Sequence, residues 1–244
     1  MLPTAYASLF MDPELNHSSG YFTDDSTPLP EAQRAKNRAV LERCRLEPSL
    51  RLLDIGCGWG AAARLAAEEY GARVVGLTIE PEQLAYAALR EDEAGPGRPR
   101  VDFRLQRWEE FTEPVDRIIC VNAFENFTDR ESFFPHCRSL LPAGGVMVVL
   151  TVTADRKAFR VISKEAFVES AGKAGFEVTV SDSLAPHYVR TLDHYGRNLR
   201  ARWDEAVAVR GEEWAARDLK FYTECAGYLR RGLNDMFEFT LVAR

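Results

Sequence analysis

Short apolar runs alternate with amphipathic segments along most of the chain. The apolar runs are rich in Val, Ile and Leu, as expected for strands buried on both faces, and they cover residues 51–55, 73–79, 101–105, 117–123, 145–152, 176–183 and 237–243. Segments with a helical period lie at 29–45, 59–70, 81–90, 131–141, 164–175, 187–209 and 212–231. This alternation predicts an α/β fold with a doubly wound, mostly parallel sheet and helices on both of its faces.

Two further segments lack the period of a helix or a strand. Residues 1–28 are polar, acidic and rich in turn-forming residues, and within them residues 24–28 are predicted to form a loop. Residues 91–100 are predicted to form a Gly- and Pro-rich loop. Because no internal repeat or low-complexity tract divides the sequence, we expect a single domain over residues 1–244, with the two long late helices beside a ligand crevice.

Composition and charge restrict the class of protein. Hydrophobic residues make up 46% of the chain and charged residues 28%, as in a globular protein with a sizeable core. The net charge of −6 does not favour nucleic acid as a partner, since binding it requires neutralising phosphates. The five cysteines are scattered, with no Cys-x-x-Cys pair, so neither a metal site nor a disulfide framework is predicted.

Three features of the sequence bear on its location. No apolar run approaches the roughly 20 residues that a membrane-spanning helix needs, so no transmembrane segment is expected. The first 33 residues contain no Lys or Arg, whereas a secretory signal begins with basic residues. Scattered cysteines, odd in number, suit reduced thiols. We therefore expect a cytoplasmic protein.

A glycine-rich loop follows the first predicted strand. Gly56 and Gly58 lie just before a predicted helix and Gly60 lies in its first turn, where the backbone can approach a ligand closely. The spacing Gly56-x-Gly58-x-x-Ala61 also fits a dinucleotide site. Asp54 disfavours a dinucleotide-dependent oxidoreductase, because a carboxylate at this strand end repels a pyrophosphate and attracts a cationic group. It favours S-adenosylmethionine (SAM), and an Asp54 that only holds the loop is the alternative.

Polar and aromatic residues follow the next two predicted strands. Thr78, Glu80 and Gln83 lie at the end of the second strand, where folds of this kind usually bind ribose hydroxyls. Trp108 and Glu109 follow the third strand and could stack on an adenine and accept a hydrogen bond from its amino group. Taken alone, the same residues are also consistent with an ordinary strand end, a helix cap and a rim Trp.

Several stretches, in order along the chain, resemble the cyclopropane-fatty-acid synthase and mycolic acid cyclopropane synthase family of SAM-dependent methyltransferases. They are residues 18–22, 52–60, 75–83, 108–109, 123–127 and 186–192. The resemblance implies a class I methyltransferase fold, Rossmann-like and seven-stranded, with an N-terminal helical segment and extra late helices. It also implies SAM as cofactor. It divides the chain into a cap over the cofactor (residues 1–46), a SAM-binding core (50–155) and a substrate-side part with the final strands (156–244).

The resemblance, together with the argument on Asp54, assigns roles to individual residues. The cofactor-binding residues are expected to be His17, Ser18, Asp54, Gly56, Gly58, Thr78, Ile79, Gln83, Trp108 and Glu109. Glu125 and Tyr188 fall on the family's active-site glutamate and tyrosine, and Ser19 on a third active-site position. The rings of Tyr21, Phe22 and Phe124 are candidates to contact the substrate, because aromatic faces stabilise positive charge. The alternatives are a capping or salt-bridged Glu125 and a Tyr188 that only fills the core.

A few positions depart from the family pattern. The family's synthases commonly hold a bicarbonate ion with a Cys, the Glu, a His and the Tyr, but here Ser19 and Leu150 occupy the Cys and His positions. Asn126 stands where a His commonly follows the glutamate. A long helical insertion after the fifth strand is also missing. We therefore expect activity that does not depend on bicarbonate, and no deep lipid tunnel.

Together these features favour a SAM-dependent methyltransferase that acts on a carbon centre, in particular an alkene, of a hydrophobic substrate. The sequence leaves open true cyclopropanation of an unsaturated fatty acyl chain, N- or O-methylation of a small molecule, and a non-catalytic SAM-binding protein. The expected partner is a hydrophobic small molecule or acyl substrate. Arginines on the late helices add a transient contact with a membrane surface or a carrier protein as a further expectation.

Overall fold

The computed structural model describes residues 2–93, 100–154 and 161–244. Its sheet has seven strands in the order β3-β2-β1-β4-β5-β7-β6. The strands are β1 (Arg51–Ile55), β2 (Arg73–Thr78), β3 (Asp102–Leu105), β4 (Arg117–Val121), β5 (Val146–Thr153), β6 (Phe176–Val180) and β7 (Asp235–Ala243). Strands β1 to β5 pair in parallel, and β7 is antiparallel to both of its neighbours. The prediction of a doubly wound, mostly parallel seven-stranded sheet is confirmed.

The helices cover both faces of this sheet and extend beyond it. They are α1 (Thr4–Ala7), α2 (Leu29–Arg43), α3 (Ala61–Tyr70), α4 (Pro81–Glu93), α5 (Phe133–Leu140), α6 (Lys164–Lys173), α7 (Ala185–Ala201), α8 (Trp203–Arg210) and α9 (Glu212–Arg230). Two short 3-10 helices follow β3 and β4, at Trp108–Glu110 and Phe124–Asn126. Of the loop predicted at 91–100, residues 91–93 belong to α4 and 94–99 lie outside the described residues. The domain boundary predicted at 155–156 also lies outside them.

Two predictions of local structure were wrong. The segment 187–209 is not one helix, because Arg202 leaves helical geometry at φ −117° and ψ 36° and separates α7 from α8. The break lets α8 contact both α9 and α1. The second concerns residues 1–28, which were described as polar and for which no helix was predicted. They contain α1, and Tyr6, Phe10 and Leu15 are buried in a cluster with residues of α7 and α9.

Alternating side chains of the strands supply two separate cores, one on each face of the sheet. In β5, Met147 and Val149 pack in one cluster, and Val146 and Val148 pack in the other. This is the arrangement that near-continuous apolar strands require. In the described part of the chain, no helix combines the length and the apolar character that crossing a membrane would need. The carboxyl ends of β1, β2 and β4 are left facing the N-terminal segment, and this arrangement positions the site.

Candidate active site

A cavity of about 490 Å³ lies at the carboxyl ends of β1, β2 and β4. The strand order changes direction between β1 and β4, which is where open α/β sheets bind their ligands. All of the residues expected to bind the cofactor line this cavity: His17, Ser18, Asp54, Gly56, Gly58, Thr78, Ile79, Gln83, Trp108 and Glu109. Residues from Leu15 to Ser18 of the N-terminal segment also line the cavity.

The glycine loop takes a conformation that larger residues would not tolerate. Gly56 has a φ of +77°, and a Cβ atom added there would collide with the side chain of Ala123. Gly58 has a φ of +57°. The backbone N–H groups of Gly56 and Cys57 both donate to the carbonyl oxygen of Leu77, at 3.0 and 2.8 Å. The turn is thereby tied to β2, and its backbone forms one wall of the cavity.

Three carboxylate oxygens along the cavity are buried and have no hydrogen-bond partner among the described residues. They are Oδ2 of Asp54, Oε2 of Glu80 and Oε2 of Glu109. The hydroxyl of Thr78, by contrast, donates to Oε1 of Gln83 at 2.7 Å. Buried acceptors without donors are rare and costly in folded proteins. The cavity therefore presents a row of acceptors that suits a ligand carrying several N–H and O–H donors.

Sequence reasoning missed the residue that faces Asp54. Lys36 of α2 is 1% exposed and lines the cavity, and its Nζ donates to Oγ of Ser18 at 2.8 Å. Burial raises the pKa of Asp54 to about 7, with the charge of Lys36 opposing the rise. Burial likewise lowers the pKa of Lys36 to about 8. A usable signal was present, because Lys36 lies on the same helix face as Ala32 and Val40, both of which are buried.

The carboxylate of Glu125 is held at both of its oxygens. The side-chain amide of Asn122 donates to Oε1, and the hydroxyl of Thr151 donates to Oε2, each at 3.0 Å. Burial raises the pKa of Glu125, while these two hydrogen bonds oppose the rise. Burial, reinforced by the charge of Glu125, also raises the pKa of Tyr188, so the two groups interact across the site. Ala123 and Asn126, on either side of the Phe124–Glu125 pair, line the cavity.

The other predicted residues occupy different positions. Ser19 is fully buried, and its hydroxyl donates to the carbonyl of Gly20 at 3.1 Å. The hydroxyl of Tyr21 donates to Glu238 at 3.0 Å. Phe22 packs between the rings of His187 and His194.

Phe124 is fully buried within a cluster of phenylalanines formed by Phe127, Phe133, Phe134 and Phe167. The side chains of Phe22 and Phe124 are thus used in packing. Like Ser19, Tyr21, Glu125 and Tyr188, they do not belong to the cavity lining, although the neighbours of Glu125 at 122, 123 and 126 do. The reason is local for Phe124, since the 3-10 helix that carries it turns Phe124 inward while Glu125 faces Asn122 and Thr151.

No group of His, Cys, Asp and Glu that could hold a metal ion occurs within residues 2–93, 100–154 and 161–244. The cysteines described are all free thiols.

Comparisons with known proteins agree with the geometry. A family model described as mycolic acid cyclopropane synthetase matches residues 2–239. Cyclopropane mycolic acid synthase 3 of Mycobacterium tuberculosis is 38% identical, over 96% of this chain and 91% of that protein. The solved structure of the cyclopropane synthase MmaA2 from Mycobacterium tuberculosis matches with a TM-score of 0.94 at 35% identity, covering 99% of this chain and 94% of that one. The mycolic acid cyclopropane synthase CmaA1, complexed with SAH and CTAB, matches with a TM-score of 0.93 at 36% identity, covering 99% and 94%.

Proposed function

Since the chain belongs to the mycolic acid cyclopropane synthetase family of SAM-dependent methyltransferases, we propose that it transfers a methyl group from SAM to a double-bond carbon of an acyl chain. The observation that carries the proposal is the carboxylate of Glu125, which Asn122 and Thr151 fix beside the cavity. A fixed carboxylate at this place suits a reaction in which positive charge develops on the substrate.

The residues around the cavity fit SAM. The unpartnered oxygens of Asp54, Glu80 and Glu109 are acceptors for the three kinds of donor on that molecule, namely the α-ammonium group, the ribose hydroxyls and the adenine amino group. Trp108 and Ile79 would flank the adenine, and His17 and Ser18 would lie at the methionine end. Ile79 is 62% exposed and lines the cavity, so a bound ligand would cover it.

When bound, SAM supplies an electrophilic methyl group whose addition to an alkene leaves a carbocation on the substrate. Glu125 would stabilise that charge, because its carboxylate is already oriented by two donors and needs no rearrangement as the charge develops. It would then take up a proton from the substrate on one of its oxygens. Burial raises the pKa of Glu125, and that favours this acceptance. Tyr188 would shield the cation with its ring.

Bicarbonate has no evident place in this scheme. The Ser19 hydroxyl is engaged with the carbonyl of Gly20, and Leu150 is fully buried in an apolar cluster with Leu184 and Met236. Glu125 would therefore act as the proton acceptor itself. If the proton leaves the transferred methyl group, the product is a cyclopropane, and if it leaves a neighbouring carbon, the product is a methyl-branched alkene.

The substrate side is apolar. Tyr21 and Tyr188 are partly buried and pack against the apolar cluster of Leu150, Leu184 and Met236. This apolar setting favours an acyl chain as the substrate, and the relatives named above are mycolic acid cyclopropane synthases. The chain would reach its substrate in the cytoplasm on a carrier protein, as a free acid or at a membrane surface. Residues 1–46 would serve as the cap, 50–155 as the cofactor-binding core and 156–244 as the substrate side.

The test is to incubate the purified protein with SAM that carries a ¹³C-labelled methyl group and with one unsaturated acyl chain offered in three forms: free acid, carrier-bound thioester and phospholipid vesicle. Mass spectrometry should find one labelled methylene added to the chain, and carbon NMR should locate it at the former double bond. The form that reacts fastest identifies the partner. Label found on nitrogen or oxygen of added small amines or alcohols, with none on the acyl chain, would contradict the proposal.

A further inference from the structure

Lys36 is a buried cation inside the cofactor cavity, and nothing in the proposed reaction uses it. Lys36 is 1% exposed and lies on the buried face of α2. The charges that act on it are those of Asp12 and Asp54. Neither forms a salt bridge with it, since its ammonium donates instead to neutral groups. A lysine is almost never fully buried in this way without a partner of opposite charge.

The hydrogen bonds of Lys36 occupy all three of its donors. Nζ lies 2.8 Å from Oγ of Ser18, 2.5 Å from Oδ1 of Asn37 and 3.5 Å from Oδ1 of Asn16. Asn16 is held in turn by Asp12, through its backbone and its side chain, each at 2.8 Å. The ammonium therefore ties the N-terminal segment to α2 at the wall of the cavity.

The bond to Ser18 determines what that hydroxyl can do. An ammonium only donates, so Oγ of Ser18 accepts from it and keeps its own hydrogen free to donate to another group. Ser18 lines the cavity, as does Lys36. The cavity lining thus combines a donor hydroxyl backed by an ammonium group with the acceptor Oδ2 of Asp54.

An acceptor for a cation and a donor for an anion, in the same cavity, suit the amino-acid end of a ligand. The methionine end of SAM carries an α-ammonium, which suits Asp54, and an α-carboxylate, which suits a hydroxyl donor backed by a cation. We propose that Lys36 is the positioning residue that makes the site select ligands with an α-carboxylate, by orienting the Ser18 hydroxyl as a donor and by supplying the countercharge. The inference rests on the proposed cofactor site.

The experiment compares two probes by calorimetry: S-adenosylhomocysteine (SAH), which has the carboxylate, and decarboxylated SAH, which lacks it and is otherwise identical. In Lys36→Met the affinity for SAH should fall by roughly tenfold to a hundredfold, the scale of a lost hydrogen bond to a charged group. The affinity for decarboxylated SAH should change little, so the preference for the carboxylate disappears. Ser18→Ala should change the ratio of the two affinities in the same direction but by less. This variant tests the inference if Lys36→Met does not fold. Lys220→Met, on the exposed face of α9, is the matched control and should change neither affinity.

Two outcomes would overturn the inference. An equal loss of affinity for both probes would mean that Lys36 only supports the fold of the wall, and an unchanged ratio in both variants would mean that the carboxylate binds elsewhere. Failure of the wild-type protein to bind SAH at all would instead contradict the cofactor site itself, so the two failures are distinguishable.

Discussion

The hydroxyl of Thr151 donates to Oε2 of Glu125 at 3.0 Å, which joins β5 to the 3-10 helix that follows β4. The register of the sheet fixes this contact, because Val121 pairs with Leu150 and the backbone N–H of Asn122 donates to the carbonyl of Leu150 at 2.8 Å. The orientation of the carboxylate is therefore set by the sheet rather than by a mobile loop. Rigid support of this kind is what catalysis by a fixed charge requires.

Replacing Glu125 with Gln keeps its shape and removes its charge. If the carboxylate stabilises the cation or accepts the proton, kcat should fall on the order of 10²–10⁴-fold while SAH affinity changes little. Steady-state kinetics and calorimetry on the same preparation test this, with the exposed Glu177→Gln as the control. A variant that turns over at the wild-type rate would remove Glu125 from the chemistry and leave Tyr188 as the next candidate.

The Thr151→Val change removes one donor from that carboxylate at nearly constant volume. Because the hydrogen bond from Thr151 lowers the pKa of Glu125, its loss should raise that pKa. The acidic limb of the kcat profile against pH should then move to higher pH, since a proton acceptor must be ionised to work. Thr179→Val, on the exposed side of β6, should leave the profile unmoved. A lower kcat with an unshifted limb would show that Thr151 supports the fold without tuning the carboxylate.

Bicarbonate should not activate the protein. Ser19 is committed to a backbone carbonyl and Leu150 offers no hydrogen-bond donor, so two of the positions that would hold the anion are unsuited to it. The check is to measure turnover in degassed buffer with increasing bicarbonate at constant pH and ionic strength. Saturable activation would show that other groups near Glu125 bind the ion.

The position of the Phe124 side chain could not be predicted from the sequence. The buried strands were predictable because their apolar runs are long and uninterrupted. The residues at the carboxyl ends of β1 and β2 could then be predicted to line a ligand site. Phe124 was predicted to contact the substrate because it is adjacent in sequence to Glu125. Only the 3-10 geometry separates the two side chains, and no period in the sequence encodes it.

The same limit applies to contacts between distant parts of the chain. Lys36 interacts with Ser18 and with the charge of Asp54, and these three residues come together only when α2, the N-terminal segment and β1 have packed. The apolar residues of the segment 2–15 have no period of their own, because their partners are Tyr195 of α7 and Tyr222 of α9. Local pattern predicts elements, whereas these contacts depend on their assembly.

Phe124 also gives a prediction about stability. Phe124→Leu leaves a gap among four other phenylalanine rings, so it should lower the free energy of unfolding by about 1–2 kcal/mol. Substrate KM, measured below the melting transition, should stay close to that of the wild type. A raised KM with an unchanged melting temperature would place the ring against the substrate instead.

Asp54 should release a proton when the cofactor site is filled. Burial raises its pKa to about 7 in the ligand-free protein, well above its ordinary value of 3.8. The folded state thus binds this proton more tightly than the unfolded chain does, so the group lowers stability as pH rises from about 4 to about 7. The stability of the ligand-free wild type, compared with that of Asp54→Asn, should therefore be lower at pH 8 than at pH 5, and melting temperatures of the two proteins will report this difference.

An α-ammonium beside Asp54 favours the carboxylate, so SAH should bind more tightly at pH 7 than at pH 5, both of which lie below the pKa of about 8 of Lys36. Calorimetry near pH 6.5 in buffers of different ionisation enthalpy should detect the released proton, and Asp54→Asn should abolish it. SAH binding with no proton release by the wild type, and with equal affinity at both pH values, would show that Asp54 does not meet the ammonium group.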